Sequence, residues 1–433
     1  MKQYDSYKDS GVEWIGKIPS HWNISAIKHF CHQIFAGGTP NTSQNDYWNG
    51  DIDWLPSGVC HDNRVFDSTK KITQKGVDNS STKFIPKGTA LIAMTGATCG
   101  HTAYCEIDAF ANQSVTAYIN DKKRLNSIYL WYLLQSGYYY IDTFKTGGAQ
   151  GGINVEQCKN FAFCIPPLSE QQAIADFLDT QTARIDSIIA SREKKIKLLE
   201  ELRASIISQA VTKGIRKDVQ LKDSGIEWIG QIPKHWEFAP LKRYAKIETG
   251  STPSTNVSKY WENPNIDWYT PGDFYGGLKL SSSSRKVEEI ALKEEACPTF
   301  NPETVLVVGI GASLGNVGIA NKICSSNQQI NAIFFGNKIV PLFGAYYLSS
   351  IKEVMKSVSN SATLAIMNQS TTKGLVITCP PLKEQKEIVA FIEDKMSRLN
   401  SGVSKAQREI SLLREYRTSL ITEVVTGKRK LTK

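Results

Sequence analysis

One long segment occurs twice in this chain, and that repeat limits what the chain can fold into. Asp9-Ser-Gly-Val-Glu-Trp-Ile-Gly-Lys-Ile-Pro-Ser-His-Trp22 returns as Asp223-Ser-Gly-Ile-Glu-Trp-Ile-Gly-Gln-Ile-Pro-Lys-His-Trp236, 214 residues on, with 11 of 14 positions identical. The same offset carries Pro166-Pro167-Leu168 and Glu170-Gln171 onto Pro380-Pro381-Leu382 and Glu384-Gln385. A solenoid repeats every roughly 20–50 residues and needs at least about three units. This pattern instead predicts one protein with two equivalent ends, and 433 residues leave each end enough chain for its own core.

Each copy reads as three parts: a Trp-rich leader, a globular stretch, and a Pro-Pro-Leu signal followed by a long helix. The predicted segments are 1–23 (leader), 24–164 (globular), 165–222 (helix and linker), 223–237 (second leader), 238–378 (globular) and 379–433 (helix). After Pro167, apolar residues fall at Ile174, Leu178, Ile185, Ile188, Ile196, Leu199, Leu202 and Ile206, steps of three, four or their sums. Ser169 is the expected N-cap and Gly214 the expected stop. The second stripe runs through Ile388, Ile392, Leu399, Val403, Ile410, Leu413, Tyr416 and Leu420 towards Gly427, and Asn400-Ser401-Gly402 is expected to weaken it midway. A helix of about 45 residues spans roughly 65 Å. An apolar stripe that long needs a long partner, and the other copy's helix supplies one, as a coiled coil.

The globular stretches mix strand and helix signals. Ala90–Met94 and Thr304–Val308 read as buried strands, each running into a Gly-rich turn, 95–100 or 310–315, with Asn112-Gln113 or Asn327-Gln328 further on. Tyr129–Leu134 and Ala345–Ile351 read as short helices. The fold class expected is therefore α+β: two mixed α/β domains separated by two long antiparallel helices forming a coiled coil, with an internal pseudo-two-fold repeat.

Several function classes lose support. No apolar run approaches the roughly 20 residues of a membrane span, and the N-terminus has no signal-peptide core, which predicts a cytoplasmic protein. The nine cysteines are odd in number and form no Cys-x-x-Cys, and His29, Cys31 and His32 lack further ligands at workable spacing. No Gly-x-x-x-x-Gly-Lys-Ser/Thr, Gly-x-Ser-x-Gly or His-Glu-x-x-His occurs. Gly309-x-Gly311-x-x-x-Gly315 is one residue out of step with a dinucleotide fingerprint. The Asn/Asp-Pro-Pro-Tyr/Phe motif of amino-methyltransferases is missing too. No catalytic residue is therefore assigned. His21 and His235 lack a nucleophile and read as packing or docking residues.

The net charge of +9, with +5 of it in 379–433, is compatible with nucleic acid without demonstrating it. Thr95, Thr98 and His101 in the first Gly-rich turn, and Ser313 and Asn316 in the second, are polar groups on tight turns. Lys145, Thr146, Gln150 and Asn154 occupy a second polar loop, matched by Thr363, Asn368 and Gln369. Such groups can read base edges, and they are equally ordinary loop residues.

The repeated leader, the Gly-x-Thr-Pro motif at Gly37–Pro40 and Gly250–Pro253, and Pro-Pro-Leu-x-Glu-Gln before a long helix together resemble the specificity subunit of type I restriction–modification systems. The resemblance covers essentially the whole chain; in the Gly-x-Thr-Pro motif the copies are one residue out of register. It implies that the globular stretches are target recognition domains, each reading one half of a split, asymmetric DNA sequence. The residues just named would then meet DNA, with Arg64, Lys70, Lys71, Arg285 and Lys286 on phosphates. The helices would set the spacing. Leaders and helix starts, through Trp14, His21, Trp22, Glu170, Gln171, Trp228, His235, Trp236, Glu384 and Gln385, would dock two modification subunits. S-adenosylmethionine would sit in those subunits, and ATP and Mg in a restriction subunit where one joins; this chain would hold no cofactor and do no chemistry. Two other readings stay open from the residues themselves: a self-sufficient nuclease or methyltransferase, and a scaffold without a DNA role.

Overall fold

The computed structural model describes residues 3–146, 151–216, 218–275, 277–359 and 366–431. The chain divides into two compact units, Met1–Glu193 with Arg408–Lys433, and Lys194–Gln407. These units interleave the contiguous segments expected from sequence, because each takes half of both long helices.

In the first unit the main sheet has five strands in the order Cys31–Ala36, Val115–Asn120, Thr89–Ala93, Thr102–Cys105, Asn63–Val65. The last pairing is parallel and the others are antiparallel. Thr89–Ala93 is buried along its whole length, which explains its unbroken run of small and apolar residues. A smaller sheet joins Phe110–Ala111, Trp48–Leu55 and Lys71–Ile72. The second unit repeats this with four strands, Ala245–Thr249, Ile330–Phe335, Val305–Val308, Val317–Ile319, and a three-stranded sheet around Ile266–Tyr269. Its fifth strand is reduced to one parallel bridge, Lys279 to Ile319. The short helices span Ser127–Ser136 and Pro341–Ser350.

The long helices run Leu168–Lys213 and Leu382–Val425. The first starts one residue before the expected cap Ser169, and Pro167 offers its carbonyl to the N–H groups of Glu170 and Gln171. Both end as expected on left-handed glycines, Gly214 at φ +77° and Gly427 at φ +72°. The second helix is unbroken through Asn400–Gly402; Gly402 lies beside Leu199, where an added Cβ would make ordinary contact at 3.5 Å, so close packing does not require the glycine. Within each unit the helices are antiparallel: Arg192 pairs with Glu409 and Arg417 with Asp186 in the first, and in the second Leu199 faces Gly402 while Arg216, just past the first helix, pairs with Glu387. The apolar stripe differs from the expected one in places. Ile189 is buried while Ile188, Leu202 and Tyr416 are exposed, since at 3.6 residues per turn a straight stripe drifts around the helix.

The leaders belong to the cores. Trp22 and Trp236 are fully buried. A Cβ on Gly427 would lie 2.3 Å from Pro19, and one on Gly214 would lie 3.2 Å from Trp236. Each leader therefore packs on a helix end, the first on the end of the second long helix and the second on the end of the first. Val425 accepts a hydrogen bond from the Tyr129 hydroxyl and Val211 one from the Thr378 hydroxyl, at matched places.

Candidate nucleic-acid interface

Three segments that are far apart in sequence meet at one end of the strands of each main sheet. In the first unit the Gly-rich turn and the second polar loop are joined by Ile153 N–H donating to Met94 at 2.9 Å. In the second, Met367 N–H donates to Gly309 at 2.8 Å and Ile310 bridges Ile366. The Gly-x-Thr-Pro motif arrives beside them: Gly37 N–H donates to Val115, and Gly250 N–H to Ile330, both at 3.0 Å. A cleft of about 310 Å³ in the second unit is lined there by Thr249, Gln328, Asn331, Asn368 and Gln369. A larger cleft of about 890 Å³ lies elsewhere in the first unit, where Arg64 and Trp131 face Asp179 and Arg417 of the long helices.

The candidate base readers are not all free to read. Thr95 is exposed and its hydroxyl donates to Ser114; the Thr98 hydroxyl donates to the Ser57 carbonyl at 3.1 Å. His101 Nδ1 lies 2.8 Å from Asp62 and its ring lies against Tyr138. Lys145 pairs with Asp142, and Thr146 bridges Gly152. Ser313 is half-buried in its turn, while the Asn316 side chain accepts from Lys352 at 2.6 Å. Asn154 and Asn368 cap the short helices Val155–Asn160 and Gln369–Gly374, so their side-chain oxygens are engaged. Gln369 needs correcting: its amide donates to Ile247 and accepts from Lys373, which leaves it tied into the unit. Gln150 and Thr363 fall outside the described residues.

Of the expected phosphate contacts, Lys70 is exposed, and Arg285 is exposed with its guanidinium about 5 Å from the rings of Trp261 and Trp268. Lys71 pairs with Asp53 at 3.1 Å, and Lys286 lies 4.0 Å from the buried Asp267. Burial opposes ionisation of Asp267, but Lys322 at 2.6 Å and the Ser283 donors outweigh it and hold the carboxyl below its usual range. Arg64 is the second correction. Its fork binds Glu106 and Asp179 and lies over Tyr104 and Trp131, so its charge is spent inside the unit.

The family model for the type I restriction modification DNA specificity domain matches residues 19–198 and 233–406. The chain belongs to this family. It is 24% identical over 430 residues to the type I restriction enzyme MjaIX specificity subunit of Methanocaldococcus jannaschii, covering 96% of this chain and 95% of that one. The StySPI specificity subunit of Salmonella potsdam is 22% identical, with 95% and 90% covered. A solved chain from work on complex assembly and conformational transition of the type I R-M system superposes with a TM-score of 0.73 at 15% identity, over 94% of this chain and 98% of that one. The HsdS subunit of Thermoanaerobacter tengcongensis gives a TM-score of 0.50 at 15% identity over 95% and 98%. This specificity subunit has no described helix long and apolar enough to cross a membrane.

In this specificity subunit the leader residues expected to face partners divide into two sets. Trp22, Trp236, Gln171 and Gln385 are corrected to internal roles. Gln171 accepts from Asn126 N–H and donates to the Arg124 and Pro166 carbonyls; Gln385 does the same with Val340, Lys338 and Pro380. Such buried amides satisfy backbone groups that would otherwise go unpaired. Glu170 collects His21, Trp22 and Tyr4, whereas the nearly buried Glu384 holds His235 at 2.9 Å. The outer faces of His21 and His235, with the exposed Trp228, stay on the surface, and Trp14 stacks on Tyr140 at its margin.

Sequence reasoning missed a recurrent pair. The Thr39 hydroxyl donates to Gln113 Oε1, and the Thr252 hydroxyl to Gln328 Oε1 at 2.7 Å. The signal was present, because Gly-x-Thr-Pro and Asn-Gln both recur, but no spacing rule links segments some 74 residues apart.

Proposed function

We propose that the chain works in the cytoplasm as the non-catalytic DNA-reading subunit of a type I restriction–modification complex, each unit reading one half of an asymmetric, interrupted target. One observation carries this reading: the same polar sheet end is built twice on one scaffold, with Thr98 and His101 in one copy where the other has Ser313 and Asn316. Phosphate contacts position a protein on DNA and base contacts specify sequence. Exposed Lys70 and Arg285 suit the first task and the turn residues the second. The long helices fix the spacing of the two half-sites. The surface beside His21, His235 and Trp228 docks two modification subunits, which carry S-adenosylmethionine and methylate adenine; a restriction subunit using ATP and Mg joins for cleavage.

Mapping methylated adenines across the genome of a host carrying this chain and its modification subunit tests the proposal. The expected motif is split and asymmetric. A single uninterrupted or palindromic motif defeats it. Purified chain alone, given labelled S-adenosylmethionine and DNA, should transfer no methyl group.

A further inference from the structure

We propose that Thr39–Gln113 and Thr252–Gln328 form a base-reading element common to both units, each presenting a glutamine amide to an adenine edge at the equivalent place of its half-site. The inference rests on the reading that each unit reads one half-site.

Both glutamines are exposed, yet everything behind them is held. The Trp54 indole N–H donates to the Gly38 carbonyl, and the Trp268 indole to Ser251, both at 3.0 Å. Trp48 holds Asn41 and Trp261 holds Ser254, both at 3.2 Å. Two indoles therefore clamp each Thr-Pro dipeptide from either side, and a residue before proline is already confined to extended backbone. A Cβ on Gly37 would lie 2.0 Å from the Ala111 carbonyl oxygen, and one on Gly250 would lie 2.2 Å from Ser326 Oγ. Only glycine lets the motif press this closely on the strand that carries the glutamine. On the other side, Asn112 and Asn327 each accept from the N–H two residues on, at 3.0 Å, fixing the turn at the glutamine.

The chemistry follows from the clamp. A threonine hydroxyl donating to Oε1 decides which way the amide faces. Both Nε2 hydrogens and the second Oε1 lone pair remain available, and this donor–acceptor pair matches adenine N7 and N6. The neighbouring turn side chains differ between the units while this pair does not. An element shared by two units that read different sequences must read something both half-sites contain.

The test uses the complex with its modification subunit and duplexes carrying the target mapped from its methylome, with each adenine replaced in turn by 7-deazaadenine, which lacks the N7 acceptor. With wild type, one position in each half-site should weaken binding on the order of tenfold. Gln113→Ala should show that loss on the natural duplex, and 7-deazaadenine at the first half-site's position should then add nothing, while the second half-site still responds. Gln328→Ala should give the mirror result. Gln113→Glu keeps the shape and the acceptor for Thr39 but loses the donors, so it should fail as alanine does while melting like wild type. Variants that bind and methylate as wild type, or that stay sensitive at every 7-deazaadenine position, overturn the inference and leave the bipartite reading standing. A wild-type complex with no bipartite target overturns both.

Discussion

Arg64 and Lys279 stand at matched places in the two units and tie the recognition sheet to a long helix with unequal grip. In the first unit Arg64 reaches Asp179 at 2.6 Å and also Glu106, and the Tyr132 hydroxyl donates to the same Asp179 at 2.8 Å. In the second, Lys279 reaches Glu393 at 2.7 Å and the Tyr346 hydroxyl donates to it at 2.5 Å. The Arg64 side chain is 27% exposed and that of Lys279 is 64% exposed, so the second clasp works in water and the first largely out of it. The leaders show the same asymmetry. Glu170 binds Trp22 Nε1 at 3.0 Å, whereas Trp236 Nε1 is buried without a partner among the described residues. The geometry of the fold is kept twice, while the side-chain contacts differ both at an exposed clasp and beside a buried indole.

The largest expected effects ask whether the units are equal at their cores. Trp22→Ala and Trp236→Ala should each cost about 3–5 kcal/mol, because both remove a fully buried indole beside a helix end. Thermal melts followed by tryptophan fluorescence would show it, and a loss below about 1 kcal/mol at either site would deny that leader its core role. The clasps should then separate. Arg64→Ala should cost about 2–3 kcal/mol by stranding Glu106 and Asp179, and Lys279→Ala less than about 1 kcal/mol, as for exposed pairs. Equal costs in urea titrations would remove the contrast in burial. A smaller difference should appear on conservative change: Trp22→Phe should lose about 1.5 kcal/mol more than Trp236→Phe, since only Trp22 gives up a hydrogen bond to a carboxylate.

The smallest effect is a slope. Asp267 ionises below its ordinary range in the folded unit, so its stabilisation is complete above the unfolded carboxylate value near about 4 and fades as pH falls below that. Between about pH 5 and 3, wild type should therefore lose stability more steeply than Asp267→Asn; parallel urea midpoints across that range would contradict the assignment.

Much of this architecture was legible. The long helices, the glycine stops and the central strands follow from periodicity and local conformation, which act over a few residues. The side chains tied inward were not legible. Arg64 looked like a phosphate contact because its two carboxylates, Glu106 and Asp179, lie 42 and 115 residues away. Gln171 and Gln385 looked like surface docks because Asn126 and Val340, whose N–H groups donate to them, each lie 45 residues away. Ile188 was placed on the buried stripe because periodicity does not say where the stripe rotates.

By itself the amino-acid sequence determined that this chain is two copies of one plan, because repetition survives without knowledge of contacts. It also determined the two long helices, one short helix and one central strand in each copy, and the family to which the chain belongs. Only the tertiary structure decided that each leader closes on a helix end, and that Thr39 meets Gln113 and Thr252 meets Gln328. Those outcomes depend on which surfaces bury each other, and burial joins residues irrespective of their distance along the chain.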